Sequence, residues 1–123
     1  MRFPCILLIM VFVVPASAYA WELDPIRKSD WVRHGVLTGL MIIDWRQTLQ
    51  NGSDFRYYEL NPALGKYPSK GAINTYFAVS YCIKTLTTYL LPHDWRKKFQ
   101  YGMIGISVIC VGRNFQIGLG GKW

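Results

Sequence analysis

Three long segments of weakly polar sequence, each twenty residues or more, dominate the chain after its N-terminal region. They run from Trp31 to Gln50, from Gly71 to Leu91 and from Trp95 to about Leu119. Their length, and the lack of strict alternation between apolar and polar positions, favour helices over strands. A helix that crosses a bilayer needs about 20 predominantly apolar residues. The sequence therefore predicts an all-α chain with about three membrane-embedded helices.

The first twenty residues have the pattern of a cleavable signal peptide. Arg2 supplies the positive charge, an apolar run follows, and small residues precede two candidate cleavage positions, Ala18 and Ala20. An uncleaved anchor helix is the alternative, although the apolar run is short for a span of about 20 residues. We therefore expect a signal peptide at residues 1–20, followed by a single helical membrane domain at residues 21–123.

Residues that favour turns separate the three segments. Asn51–Gly52 ends the first segment, and the prolines of Asn61–Pro62 and Tyr67–Pro68 impose extended geometry on the residues before them. Ser69 is a suitable N-cap for the second helix, and Asp94 for the third. The sequence thus predicts a structured loop between the first and second helices and a short hairpin between the second and third.

The net charge of +7 is distributed in a way that argues against nucleic acid as a partner. The basic residues are single or lie in short groups such as Arg27–Lys28 and Arg96–Lys98, which flank the apolar segments. This arrangement is expected of cations that reach lipid head groups from the ends of membrane helices. We expect a lipid bilayer, and no nucleic acid, among the partners.

The charged residues expected to lie within the membrane are Asp44 in the first segment, Lys84 in the second and Arg113 in the third. Each would cost roughly 2.5 to 3.5 kcal/mol at the centre of a lone inserting helix, so they should face one another or water. Up-and-down connection of the helices brings Asp44 and Arg113 towards the same side, which predicts an ion pair between them. The alternative is that both sit at the interface without meeting. The Lys84 side chain is expected to extend so that its ammonium reaches the opposite, outer interface of the membrane.

Several short elements carry a resemblance to a known group of proteins. They are Asp44–Thr48, Glu59–Gly65, Asn74–Phe77, Leu91–Pro92 and Arg113–Asn114. With these elements the chain resembles small uncharacterised multi-pass membrane proteins of bacteria and phages. The resemblance implies that the Asp-x-x-Gln-Thr and Glu-x-Asn-Pro-x-Leu-Gly elements belong to one site. Together with the signal peptide, it indicates the bacterial inner membrane, with the mature N-terminus outside.

The predicted site is one polar network. It contains Asp44, Gln47, Thr48, Glu59, Asn61, Arg113 and Asn114. The first three lie within about one helical turn and share a face, the loop residues fold back onto that face, and the last two supply donors to the carboxylates. The network has three interpretations: a lock between loop and helices, a site for a small ligand, ion or proton, or a surface for a protein partner.

Catalytic chemistry has little support in the sequence. Cys82 and Cys110 lie in apolar segments and are expected to be free, with a disulfide as the alternative in an oxidising compartment. His34 and His93 have no metal-ligand spacing around them. We therefore assign no catalytic residue, no metal and no cofactor, and we do not expect an enzyme.

The expected role is that of a small integral membrane protein with a structural or protein-interaction function in the cell envelope. Gly105 and Gly112 in the third segment would suit close helix contact, which favours assembly with itself or with a larger envelope protein. The first alternative is a minimal transporter, channel or holin-like protein that uses the Asp44/Arg113 cluster. The second alternative is a small soluble secreted helical protein.

Overall fold

The structure is a computed structural model that describes residues 23–53, 59 and 61–120. The predicted signal peptide at residues 1–20 therefore lies outside the described residues. The described chain contains three helices and no strand. The prediction of an all-α chain is confirmed for this part of the protein.

Each of the three predicted segments is a helix. Their bounds are α1 Lys28–Ser53, α2 Lys70–Leu90 and α3 His93–Gln116. The helices extend beyond the predicted segments at several ends, because polar residues such as Lys28 and Lys70 form first turns as readily as apolar ones. In the described part of the chain, no helix is both long enough and apolar enough to qualify as a membrane span. Their embedding in a membrane stays a prediction.

The two helix starts predicted from capping residues have different outcomes. Ser69 is the N-cap of α2, and its hydroxyl accepts a hydrogen bond from the Ala72 amide at 3.1 Å. The prediction that Asp94 caps α3 is wrong, because α3 begins at His93 and Asp94 lies inside the first turn. The His93 amide instead donates to the Asp24 carboxylate at 2.8 Å, so a residue that precedes α1 supplies the cap.

Helix α1 is the centre of the bundle. It packs most extensively against α3 and next against α2, while α2 and α3 touch less. Leu91 and Pro92 join α2 to α3 directly, yet each of these helices packs mainly on α1. Both neighbours therefore meet the same long helix, which brings residues from all three together.

The interior of the described bundle is unusually polar. The buried hydrophobic residues are Leu37, Met41, Ile73, Val111 and Leu119. Nine polar or charged residues are also buried, namely Asp30, Gln47, Thr48, Asn51, Ser80, Thr88, Arg96, Gln100 and Ser107. Large apolar side chains lie on the outside of all three helices. This distribution is the reverse of the usual one in water, where buried polar residues are the exception.

A Schellman motif ends α3 and returns the chain to α1. The Gly118 amide donates to the Phe115 carbonyl at 3.0 Å, and the Leu119 amide donates to the Asn114 carbonyl at 2.8 Å. The motif requires a positive φ, and Gly118 adopts 88°. Leu119 is buried as a result, with 2% of its surface exposed, and its carbonyl faces α1.

Candidate functional site

Asn114 joins α3 to α1 through two hydrogen bonds. Its side-chain amide donates to the Asp44 carboxylate at 3.2 Å and to the Gln47 side-chain carbonyl at 3.1 Å. Asp44 and Gln47 are three residues apart on α1 and therefore share a face. The structure thus brings together three members of the predicted network: Asp44, Gln47 and Asn114.

Gln47 uses the rest of its side chain to hold the end of α3. Its amide nitrogen lies 3.1 Å from the Leu119 carbonyl and 3.4 Å from the Val111 carbonyl, and the residue is 2% exposed. Thr48, another predicted member, donates its hydroxyl to the Asp44 backbone carbonyl at 2.8 Å. This hydrogen bond is internal to α1.

Glu59 and Asn61 are the loop members of the predicted network, and they make hydrogen bonds within the loop. Glu59 accepts hydrogen bonds from the Asn61 amide at 2.8 Å and from the Asn51 side chain at 3.5 Å. Asn61 accepts one from the Ala63 amide at 3.0 Å. The loop therefore does return to α1, as expected, but it does so through Asn51 near the end of the helix.

The charge that attracts Asp44 is on Lys84 of α2. The two residues interact electrostatically, and the Lys84 ammonium lies 3.6 Å from the Met41 sulfur. Lys84 is half-buried and directed inward, contrary to the expectation that it would extend to the other side. The pairing of Asp44 with Arg113 stays a prediction.

The hydrogen bonds of Asn114 lead to a testable effect on stability. Asn114→Ala leaves the Asp44 carboxylate and the Gln47 carbonyl without this donor, and the expected loss is about 2 to 3 kcal/mol. Gln116→Ala is the matched control, because Gln116 is exposed on the same helix. Chemical unfolding followed by circular dichroism measures both. Equal effects of the two substitutions would show that the Asn114 contacts contribute nothing.

A second polar network, absent from the sequence prediction, lies at the opposite end of the bundle. Asp30 of α1 is 1% exposed and contacts the side chains of Arg96, at 3.0 Å, and Arg33. The Arg27 amide also donates to this carboxylate at 3.0 Å. We call Asp30, Arg33, Arg96 and Gln100 the upper network, since α1 begins at this end.

Arg96 connects three parts of the chain although its side chain is fully buried. Besides its ion pair with Asp30, it donates to the carbonyls of Thr88 at 2.7 Å, Asp24 at 2.9 Å and Pro25 at 3.2 Å. A cation near the last carbonyls of a helix is favourable, and Thr88 lies in the last turn of α2. The expectation that Arg96 reaches lipid head groups is therefore wrong, since every donor position of this side chain faces the protein.

Gln100 completes the upper network one turn after Arg96. Its side chain donates to the Asp30 backbone carbonyl at 3.0 Å and accepts from the Arg33 guanidinium at 2.7 Å. The spacing of Arg96 and Gln100 is a signal in the sequence, because positions four apart lie on one helix face. Two buried polar residues on one face of an apolar helix point to a polar partner across the interface.

The upper network makes stability depend on pH. Burial alone would raise the pKa of Asp30, but the Arg27 amide and the guanidinium groups of Arg96 and Arg33 outweigh it and hold that pKa below its usual value. A lowered pKa in the folded protein gives stability that is present above about pH 4 and is lost as the pH falls through the folded pKa. Asp30→Asn should therefore cost most at neutral pH and progressively less in acid. Unfolding curves of both proteins between neutral and acidic pH measure this, and a constant difference would contradict it.

The histidines and cysteines are placed apart from one another. His34 contacts the Thr85 hydroxyl at 3.4 Å, and the His93 ring lies 3.9 Å from the Asp30 carboxylate. Cys82 is exposed and Cys110 is half-buried, and both are free. Among the residues described, no group of three or more His, Cys, Asp or Glu side chains is arranged to hold a metal ion.

Comparisons of the chain with protein-family models, with curated proteins and with solved structures found no match. The resemblance to small bacterial and phage membrane proteins therefore stays a prediction. The function is therefore inferred from the geometry of the described bundle. That geometry consists of two polar networks inside the bundle and a largely apolar exterior.

Proposed function

We propose that the protein is a small helical membrane protein with a structural or protein-interaction role in the cell envelope. The observation that carries this proposal is a band of uncharged, mostly apolar exposed side chains around the three helices. Exposed charged residues lie only beyond the two edges of the band in the described part of the helices. We call this surface the apolar band and assign residues 31–45, 71–90 and 99–117 to it.

The apolar band includes residues from every helix. Its large exposed side chains are Trp31, Val32, Val36 and Ile42 of α1, Val79, Tyr81, Ile83, Leu86, Tyr89 and Leu90 of α2, and Tyr101, Ile106, Val108, Ile109, Phe115 and Ile117 on and directly after α3. A continuous apolar surface of this extent is uncommon on proteins that face water on all sides. It is the surface that lipid or a protein partner would cover.

The height of the apolar band matches the core of a bilayer. At 1.5 Å per residue, the band spans about 29 Å on α2, about 27 Å on α3 and about 21 Å on α1, where the flanking charges of Lys28 and Arg46 are about 27 Å apart along the helix. The hydrocarbon core of a bilayer is about 30 Å thick. Charged residues at both edges would therefore reach the head-group regions while the band faces lipid tails.

The polar interior is consistent with this placement. A mean hydropathy counts every residue of a helix, including polar side chains such as Gln47, Ser80 and Ser107 that face the other helices. Polar residues of membrane bundles are directed inward in this way, where neighbouring helices satisfy them. Helices that are marginal alone would then be retained in lipid as a bundle.

Open glycine positions support a role in assembly. Gly35 and Gly39 of α1, and Gly105 and Gly112 of α3, are exposed, and an added Cβ would meet no atom within 4 Å. Small residues let another helix approach closely in a membrane, where such contact replaces the hydrophobic driving force. We infer that a second copy or a larger envelope protein packs against these faces.

The polar networks favour a structural role over the transporter or channel alternative. Arg96, Gln100 and Gln47 direct their polar atoms to protein partners. Leu37 and Met41 are buried on α1 between the two networks. Groups that are engaged in this way join helices, which supports a structural role.

Fractionation of cells that express the full chain with a C-terminal tag tests the proposal. The tagged protein is expected to stay in the membrane pellet after a wash with alkaline carbonate, because the apolar band holds it in lipid. Mass spectrometry of the same sample reports whether the first twenty residues have been removed. Release of the protein into the carbonate supernatant would contradict the membrane proposal.

A further inference from the structure

We propose that the upper end of the bundle binds the head groups of anionic phospholipids. The binding surface is the upper rim, defined as the exposed cations Arg27, Lys28, Lys97 and Lys98. This inference rests on the proposed function, because it names the class of lipid that the membrane-embedded bundle would select. The ligand group is a phosphodiester with a net negative charge.

The two cationic pairs of the upper rim, Arg27–Lys28 and Lys97–Lys98, both lie next to the Asp30 carboxylate. The Arg27 amide and the Arg96 guanidinium each lie 3.0 Å from the same oxygen of Asp30. The pair Arg27–Lys28 therefore lies close to Arg96, the residue directly before the pair Lys97–Lys98. Several hydrogen bonds hold Arg96 in place. The upper rim therefore consists of two neighbouring cationic pairs whose backbone is held in a defined position.

The net charge at this end of the bundle is positive. Residues 23–34 and 92–101 contain six arginines and lysines against three aspartates. Of the aspartates, Asp30 is buried between Arg33 and Arg96, and Asp24 accepts the His93 amide. Asp24 and Asp94 are both exposed, the latter in the first turn of α3. The surface therefore presents four exposed cations against two exposed carboxylates, and this net positive charge suits an anionic ligand.

The upper rim also lies at the depth where lipid phosphates would be found. Trp31 and Trp95 are 65% and 44% exposed beside the rim, and tryptophan is enriched at membrane interfaces. The Lys98 ammonium lies 4.9 Å from the centre of the Trp95 ring. An ammonium beside an indole at the edge of the apolar band is placed to meet a phosphate while the ring meets the upper part of the acyl chains.

Quenching of tryptophan fluorescence by brominated lipids tests this inference on the full chain. The protein is reconstituted in mixtures of phosphatidylcholine and phosphatidylglycerol in which one or the other lipid is brominated. The ratio of the two quenching curves gives the relative binding constant of the lipids. Lys97→Gln/Lys98→Gln removes half of the upper rim, and Lys66→Gln/Lys70→Gln is a matched control, because both of its lysines are exposed at the other end of the bundle.

The native chain should bind phosphatidylglycerol severalfold more strongly than phosphatidylcholine. A cation near a membrane surface contributes at most about a fivefold preference, so Lys97→Gln/Lys98→Gln, which removes two of the four cations, should lower the preference clearly, and the control pair should lower it less. Added inorganic phosphate should leave the preference unchanged. Equal binding of the two lipids, an equal loss in the control, or displacement by inorganic phosphate would overturn the inference. Quenching by neither brominated lipid would instead contradict the membrane placement itself.

Discussion

Replacing Ile109 with aspartate is expected to shift most of the protein out of the carbonate-washed membrane fraction. Ile109 is 69% exposed near the middle of the part of α3 that belongs to the apolar band. An aspartate at the centre of an inserting helix costs about 2.5 to 3.5 kcal/mol, which is about a hundredfold in the insertion equilibrium. The effect should be large because α3 lacks the hydropathy of an autonomous span.

The same substitution distinguishes lipid from water around α3. At a position exposed to water, a change from isoleucine to aspartate stays within about 0.5 kcal/mol. Lys97→Asp is the control, since it places the same carboxylate on the same helix outside the apolar band. Quantitative blotting of washed membranes measures both variants. If Ile109→Asp stays in the pellet as fully as Lys97→Asp, the band on α3 does not face lipid.

Arg96→Met is expected to reduce the free energy of unfolding by about 3 to 5 kcal/mol. Removal of one partner from a buried ion pair leaves the other charge uncompensated, and Asp30 is 1% exposed. The substitution also removes the donors to the carbonyls of Thr88 and Asp24, which join α2 and the chain before α1 to α3. Chemical unfolding of the purified protein, followed by circular dichroism, measures the loss.

A control variant and a double variant distinguish the loss of the Asp30–Arg96 ion pair from a general destabilisation by any substitution in this part of α3. Lys97→Met changes the neighbouring exposed cation and should alter the stability by no more than about 0.5 kcal/mol. Arg96→Met/Asp30→Asn should recover part of the loss, because no buried carboxylate remains to be compensated. A double variant that is as unstable as the sum of both single variants would show that Arg96 and Asp30 act independently.

The helices could be predicted because their signals are local. Asn51–Gly52 lies in the last turn of α1, Ser69 caps α2, and Pro92 separates α2 from α3. Each signal acts within a few residues through backbone geometry or one hydrogen bond. The cap assigned to Asp94 failed because a more distant residue, Asp24, occupies the start of α3.

The two polar networks could be predicted only in part because their contacts are distant in sequence. The structure brings Asp44, Gln47 and Asn114 together, and the helix register that places Asn114 against α1 depends on contacts between residues about 70 positions apart. The upper network was missed because Arg96 precedes two lysines, and such a run usually indicates a solvated surface. Its partner Asp30 lies 66 residues earlier.

Cys82 gives the most direct test of whether the apolar band faces lipid. It is a free, exposed cysteine on α2, about 18 Å along the helix from Lys70. A nitroxide attached to it reports its surroundings through collisions with oxygen, which concentrates in lipid, and with a nickel chelate, which stays in water. Replacement of Cys5 and Cys110 with serine confines the label to this position, and a Lys97→Cys variant with Cys82 also replaced provides the rim control.

Electron paramagnetic resonance of the labelled protein in lipid vesicles then measures both collision rates. We predict that a nitroxide at Cys82 collides mainly with oxygen, while a nitroxide at position 97 collides mainly with the nickel chelate. This result would place the middle of α2 among acyl chains and the upper rim at the aqueous surface of the bilayer. A nitroxide at Cys82 that collides mainly with the nickel chelate would contradict the account, because the apolar band would then face water.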